Sequence, residues 1–203
     1  MEGETIEWMK KVSRENGIVL TGSLMIEEAG NYYNRLVWML PNGQYGHYDK
    51  RHLFAFGEED KHYSPGNKRL IASVKGWKIN LQVCYDLRFP VWARQQNTET
   101  GAEYDLLIYV ANWPERRSHA WKTLLCARAI ENQCYVVGVN RVGSDGKNVY
   151  HSGNSLVIDP LGQVLYHMAD EEDVNTITLQ KEMLEDVRNK FPFWKDADTF
   201  NIQ

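Results

Sequence analysis

Residues 77–90 read WKINLQVCYDLRFP. The run from Trp77 to Cys84 has the apolar and aromatic content of a strand. Pro90 suits the first turn of a helix, where its missing N–H would have no partner anyway. The stretch predicts a strand, a short turn, and a helix over Pro90–Gln96 that ends before Gly101. A second such unit follows. Tyr104–Val110, in "YDLLIYVANWP", is a continuous apolar run and predicts a fully buried strand. Residues 117–132 then put Trp121, Leu124, Leu125, Arg128 and Ala129 on one helical face. "CYVVGVNRVG" predicts another buried strand.

Toward the N-terminus, Arg69–Val74 predicts a strand joined to the first by a Lys75-Gly76 turn. Residues 49–67 are polar, with Gly57 and a Pro65-Gly66 pair, and predict a loop long enough to carry function. Asn34–Leu40 and Gln44–Tyr48 predict a hairpin across Pro41-Asn42-Gly43. Ile18–Ile26 predicts a buried strand. Residues 4–16 predict a helix with Ile6, Trp8, Met9 and Val12 on its apolar stripe and Gly17 at its end. Toward the C-terminus, "NSLVIDPLGQVLYHM" predicts a strand pair and "VNTITLQ" a strand that closes the sheet. "KEMLEDVRNKFPFW" predicts a helix stopped by Pro192. Alternating strands and helices, with hairpins among them, predict helices packed on sheet in a layered α/β fold. No repeat or linker divides the chain, so 1–203 is read as one domain.

Composition narrows the function classes. The 203 residues suffice for a sizeable core, and 43% hydrophobic with 25% charged residues is a globular balance. A net charge of −4 without a basic block argues against a nucleic-acid partner. No apolar run approaches the ~20 residues of a membrane helix. Three cysteines, Cys84, Cys126 and Cys134, lack disulfide-like spacing and suit a reducing, cytoplasmic setting. The scattered histidines form no metal-binding motif.

Cys84 lies where a strand runs into a helix, a place where α/β sheets keep their ligand sites. Such a turn exposes a nucleophile and aims backbone N–H groups at the same point. The commoner fate of a lone cysteine is burial. Three features raise Cys84 above that. Lys50 ends a strand in "YDKRHLF"; Glu58 and Glu59 lie in the loop behind it; "ANWP" ends the next buried strand. A thiol, an ammonium and a carboxylate at separate strand ends suit acyl transfer.

"YDKRHLF", "VCYDLRFP" and "YVANWP…RSHAWKTLLCARAIENQ…NRVG" together resemble the nitrilase, or carbon–nitrogen hydrolase, superfamily, and within it the omega-amidase branch. The resemblance runs from about "GIVLTGS" to "FPFWKDAD". It implies an α-β-β-α sandwich and a Glu–Lys–Cys triad with a second, supporting glutamate. It also implies hydrolysis of the terminal amide of 2-oxoglutaramate or 2-oxosuccinamate, with no cofactor. The nucleophile maps to Cys84, the lysine to Lys50 and the supporting acid to Glu59, with Glu58 one residue away. The Lys50 ammonium and the Tyr85 backbone N–H would hold the oxyanion. Trp113, Arg88 and Arg117 would frame the substrate, although a salt bridge beneath the helix is the commoner fate of an arginine such as Arg117. Asp86 and Arg88 could also pair with the scaffold. A homodimer or larger homo-oligomer is implied too.

The family's triad glutamate closes its first strand in a PE-x-F-like segment, which this sequence does not contain. "MEGETIEWMKK" resembles the linker and helix that come after the family's first strand and first helix. The resemblance therefore predicts a fold without its first strand and helix, and weak turnover. Three rivals stand beside this reading: an amidase for N-carbamoyl or aliphatic amides, an inactive chain with a binding or assembly role, and, last, a redox or structural cysteine protein, for which no second cysteine lies near Cys84 in sequence.

Overall fold

The computed structural model describes residues 1–98 and 101–202. Helix α1 (Glu4–Asn16) leads into strands β1 (Leu20–Glu28), β2 (Asn31–Met39) and β3 (Tyr45–Asp49). A loop with two short 3₁₀ turns follows, then β4 (Leu70–Val74) and β5 (Trp77–Val83). A 3₁₀ turn, Cys84–Arg88, opens directly off β5 and precedes α2 (Pro90–Ala93). A small hairpin, β6 (Asn97–Thr98) and β7 (Gly101–Ala102), leads to β8 (Leu106–Ala111) and α3 (Ser118–Asn132). The chain continues through β9 (Tyr135–Asn140), β10 (Val142–Ser144), β11 (Tyr150–Ile158), β12 (Val164–Ala169) and α4 (Lys181–Lys190).

Two sheets carry the architecture. One has the order β1-β2-β3, all antiparallel. The other runs β10-β11-β9-β8-β5-β4, with β12 also on β11. Its centre, β5-β8-β9, is parallel, so the carboxyl ends of these strands meet on one edge. Alternation along each strand sorts side chains between layers. On β2, Val37 and Met39 join Ile6 and Met9 of α1, while Leu36 and Trp38 join Ile79, Leu81 and Val83 between the sheets. On the far face, Leu107, Tyr109 and Val136 pack against Trp121, Leu125 and Ala129 of α3. At Gly138 of β9 a Cβ would stand 2.5 Å from Leu125 Cδ1 and 2.8 Å from Trp121 Cζ2. Glycine there lets α3 lie close on the sheet. The layers are helix, sheet, sheet, helix, the α-β-β-α arrangement expected from the sequence.

Several local expectations fail for visible reasons. Trp8 is 56% exposed, and Ser13 takes the buried place on α1 instead, donating to Met39 O at 3.2 Å. Strand β1 is mostly open, with Ile26 its buried apolar residue. The helix expected over Pro90–Gln96 stops at Ala93. Its continuation is pre-empted by side chains: Gln95 N donates to Asn132 Oδ1 at 3.0 Å and Gln96 N to Glu103 Oε2 at 2.9 Å. Residues 99–100 of that segment lie outside the described residues. "VNTITLQ" forms no strand; Val174 is 97% exposed, and Tyr135 Oη holds the segment's end through Gln180 O at 3.0 Å.

Helix α4 is fastened by one buried acid. Asp105 accepts from Lys181 Nζ at 2.5 Å, Arg188 Nη1 at 2.8 Å and Lys78 N at 3.0 Å. Burial pushes the Asp105 carboxyl up, but the Lys181 ammonium, the Lys78 N–H and Arg188 outweigh it, so it titrates below the usual aspartate range. A depressed folded-state value adds stability above the unfolded value of about 3.9 and loses it as pH falls through the folded one. Asp105→Asn is expected to lower stability at pH 7 by about 2–4 kcal/mol, because it leaves two cations against a neutral amide. Urea titrations should show this gap closing as pH falls below about 4; a gap independent of pH would contradict it.

Candidate active site

A cavity of about 420 Å³ opens at the carboxyl ends of β5 and β8, beside the end of β3. Cys84 stands on its wall in the first position of the 3₁₀ turn, with φ of 46°. That left-handed conformation is uncommon for a residue with a Cβ, and such strain gathers at functional positions. The first N–H groups of a turn like this have no partner within it, and Tyr85 is one of them. Burial pushes the Cys84 thiol above its ordinary value, and the Lys50 ammonium draws it back in part. Cys134 is sealed in the core and pushed up much further, while Cys126 lies on α3 away from the cavity wall.

Lys50 follows the last residue of β3 and is 3% exposed. Its Nζ meets Glu59 Oε2 at 2.5 Å. Glu59 also accepts from Phe54 N at 2.7 Å and from Asn34 Nδ2 at 3.0 Å. Burial raises the Glu59 carboxyl, but the Lys50 charge and these hydrogen bonds prevail and keep it below the usual glutamate range. Of the two neighbouring acids, Glu59 meets Lys50, while Glu58 makes an exposed pair with Lys61. The loop closes on the strand end at Gly66, whose N–H donates to Lys50 O at 2.9 Å. A Cβ there would stand 2.1 Å from Asp49 O, so glycine is required for the approach. Asp49 is fixed in turn by Arg35, a buried guanidinium that grips it at 2.6 and 2.9 Å and reaches Glu28 at 2.8 Å.

The remaining residues singled out in the sequence line the same cavity. Trp113 is buried, its indole donating to Arg117 O at 2.8 Å. Arg88 lies over the Trp113 ring at 4.9 Å and Arg117 over the Phe54 ring at 5.3 Å. Neither makes a salt bridge among the described residues, which corrects the expectation of a structural ion pair for Arg117; the scaffold partner of Arg88 is the buried Trp113 ring. Burial and the neighbouring Arg116 and Arg88 guanidiniums lower the pKa of Arg117. Positive charge is thus concentrated where a ligand would enter. Asp86 does pair with the scaffold, through a network of buried bonds.

Sequence reasoning missed Arg116, Asn34, Asp145 and His151, all on the cavity wall. Arg116 adjoins Arg117 and could have been found from the doublet. Asn34 and His151 are brought in by strand pairing, which no local pattern announces.

The model of the carbon-nitrogen hydrolase family matches residues 1–189. The chain belongs to that family. The omega-amidase YafV of Escherichia coli K12 is 43% identical over 203 residues, covering 99% of this chain and 77% of that protein. A 2-oxoglutaramate amidase of Bacillus subtilis is 36% identical over 191 residues, 93% of this chain and 72% of its own length. Among solved structures, XC1258 from Xanthomonas campestris, a CN-hydrolase superfamily protein with an arsenic adduct in its active site, superposes with a TM-score of 0.98 at 45% identity, covering 100% of this chain and 78% of that one. The family match begins at residue 1, and the expectation of a lacking first strand and helix draws no support from it. This carbon–nitrogen hydrolase is an enzyme of the amidase type. No helix among its described residues is long and apolar enough to cross a membrane.

Proposed function

We propose that this hydrolase is an omega-amidase that uses Cys84 as nucleophile and releases ammonia from a 2-oxo acid ω-amide such as 2-oxoglutaramate or 2-oxosuccinamate. The observation that carries the reading is one cavity wall holding a half-buried thiol, an ammonium paired with a carboxylate, and guanidiniums without acid partners. The names of the E. coli and B. subtilis relatives support the same substrate class.

In this mechanism Cys84 attacks the amide carbonyl. The Lys50 ammonium and the Tyr85 N–H stabilise the oxyanion as it forms, the effect that usually dominates such chemistry. The thiol proton passes to the nitrogen as the C–N bond breaks, so ammonia leaves and a thioester remains on Cys84; water then breaks the C–S bond, giving the acid and returning a proton to the sulfur. Glu59 orients Lys50. Glu59 and Asp145 are the carboxylates on the cavity wall among the described residues. Arg88 and Arg117 receive the carboxylate of the oxo acid, with Trp113 shaping the wall behind it.

Ammonia release tests the substrate class. The ω-amide of a 2-oxo dicarboxylic acid should be preferred over a simple aliphatic amide and over an N-carbamoyl amino acid. Arg117→Ala should raise KM for the oxo acid amide about 10-fold or more, the scale of one charge-assisted hydrogen bond, and leave an uncharged amide unaffected. Equal kcat/KM on charged and uncharged amides would favour the rival aliphatic amidase.

A further inference from the structure

Asp86, two residues beyond Cys84, has no access to solvent. Its carboxylate accepts Tyr48 Oη–H at 2.7 Å, His52 N–H at 3.0 Å and Val83 N–H at 3.0 Å, and His52 Nδ1 lies 2.8 Å away. Tyr48 and His52 are the residues two before and two after Lys50. The acid therefore grips both sides of the segment that carries the ammonium. Through Val83 it also grips the strand end from which the Cys84 turn begins. The Tyr48 hydroxyl is itself held, accepting from Arg51 N at 3.1 Å and Trp92 Nε1 at 2.9 Å. The His52 ring stacks on Phe89 at 3.9 Å, so the second arm is fixed too. Buried carboxylates rarely lack partners, but partners on one turn would suffice for that. Here they come from two chain segments whose side chains meet in the cavity.

We propose that Asp86 is a positioning residue, a buried clamp that sets where the Lys50 ammonium stands relative to the Cys84 sulfur. The proposal rests on the reading of Cys84 and Lys50 given above and adds the device that holds them in register. Loosening either arm lets Lys50 drift from the thiol, while Glu59 still neutralises the ammonium.

The test needs no substrate. The rate of Cys84 alkylation by iodoacetamide is followed against pH, with the labelled peptide resolved by mass spectrometry from those of Cys126 and Cys134. Lys50, Glu59, Asp86 and Arg117 are the charged groups that act on this thiol. Tyr48→Phe keeps all four and removes one arm. It should shift the profile upward in pH, slowing alkylation at pH 8 by about tenfold, as expected for a thiolate that loses a neighbouring cation. Asp86→Asn loosens the clamp too but also removes a negative charge that raises the thiol, so the two effects oppose each other and Tyr48→Phe decides. Asp105→Asn serves as the structural control: it should lower the melting temperature and leave the profile in place. A folded Tyr48→Phe protein with an unchanged profile overturns the clamp. Lys50→Met separates the clamp from the reading beneath it. If it leaves the profile unmoved, the Lys50–Cys84 reading fails; if it moves the profile and Tyr48→Phe does not, the clamp alone fails.

Discussion

Cys84→Ala is expected to reduce amide hydrolysis by at least about 10³-fold, to the level of solution chemistry plus binding, while the fold stays intact. Removing a nucleophile removes the whole covalent route, so the loss is not shared with neighbouring groups. The side chain sits half-buried against both large apolar clusters, and losing one sulfur atom opens little space there. The melting temperature should therefore change by only a few degrees. Labelling by a thiol reagent under native conditions should disappear from that peptide. Burial pushes the thiols of Cys126 and Cys134 up as well; no charge lowers that of Cys126, and the Arg188 guanidinium only partly offsets burial at Cys134, which is sealed in the core. Undiminished ammonia release by Cys84→Ala would remove the thiol mechanism.

Lys50→Met should cost about 10²–10³-fold in kcat, the usual loss for one preorganised oxyanion donor. KM should change little, because the charge is needed most when the carbonyl becomes an oxyanion. Stability should fall as well. Methionine fills most of the same volume, but Glu59 is left buried beside Phe54 N and Asn34 without its cation. An uncompensated buried charge costs about 3–5 kcal/mol, and Glu59 escapes part of that by taking up a proton. Lys50→Met/Glu59→Gln should therefore regain stability relative to Lys50→Met without regaining activity. Recovery of turnover in the double variant would mean that Glu59, not Lys50, meets the reacting carbonyl.

The parts of this protein that were legible in its sequence are those written in local pattern. The run from Trp77 into Cys84, the proline at the start of α2, the Lys75-Gly76 and Pro41-Asn42-Gly43 turns, and the face of α3 all follow from periodicity and backbone preference. Lys75 and Gly76 both adopt positive φ, the conformation a two-residue hairpin turn asks for. The long polar loop after β3 was legible as a loop, and its acid at Glu59 folds back onto Lys50.

The features that were not legible depend on partners distant in the chain. The α2 helix ends early because Asn132 and Glu103 take the N–H groups that would have continued it. "VNTITLQ" alternates as a strand should, but alternation does not supply a neighbouring strand to bond to. Trp8 has the spacing of a core residue on a helix whose buried stripe is only Ile6, Met9 and Ser13 wide. The grip of Asp86 on Tyr48 and His52 spans 38 and 34 residues, and nothing in "CYDLR" declares it. Sequence placed the reactive types at strand ends; tertiary pairing decides which of them meet.

Acid quench during turnover, followed by mass spectrometry of the peptide that contains residue 84, tests the account most directly. The expected result is that peptide carrying the acyl group of the amide substrate, in an amount that disappears once the substrate is consumed. Ammonia accumulating in the same samples while every copy of that peptide keeps its unmodified mass would contradict it.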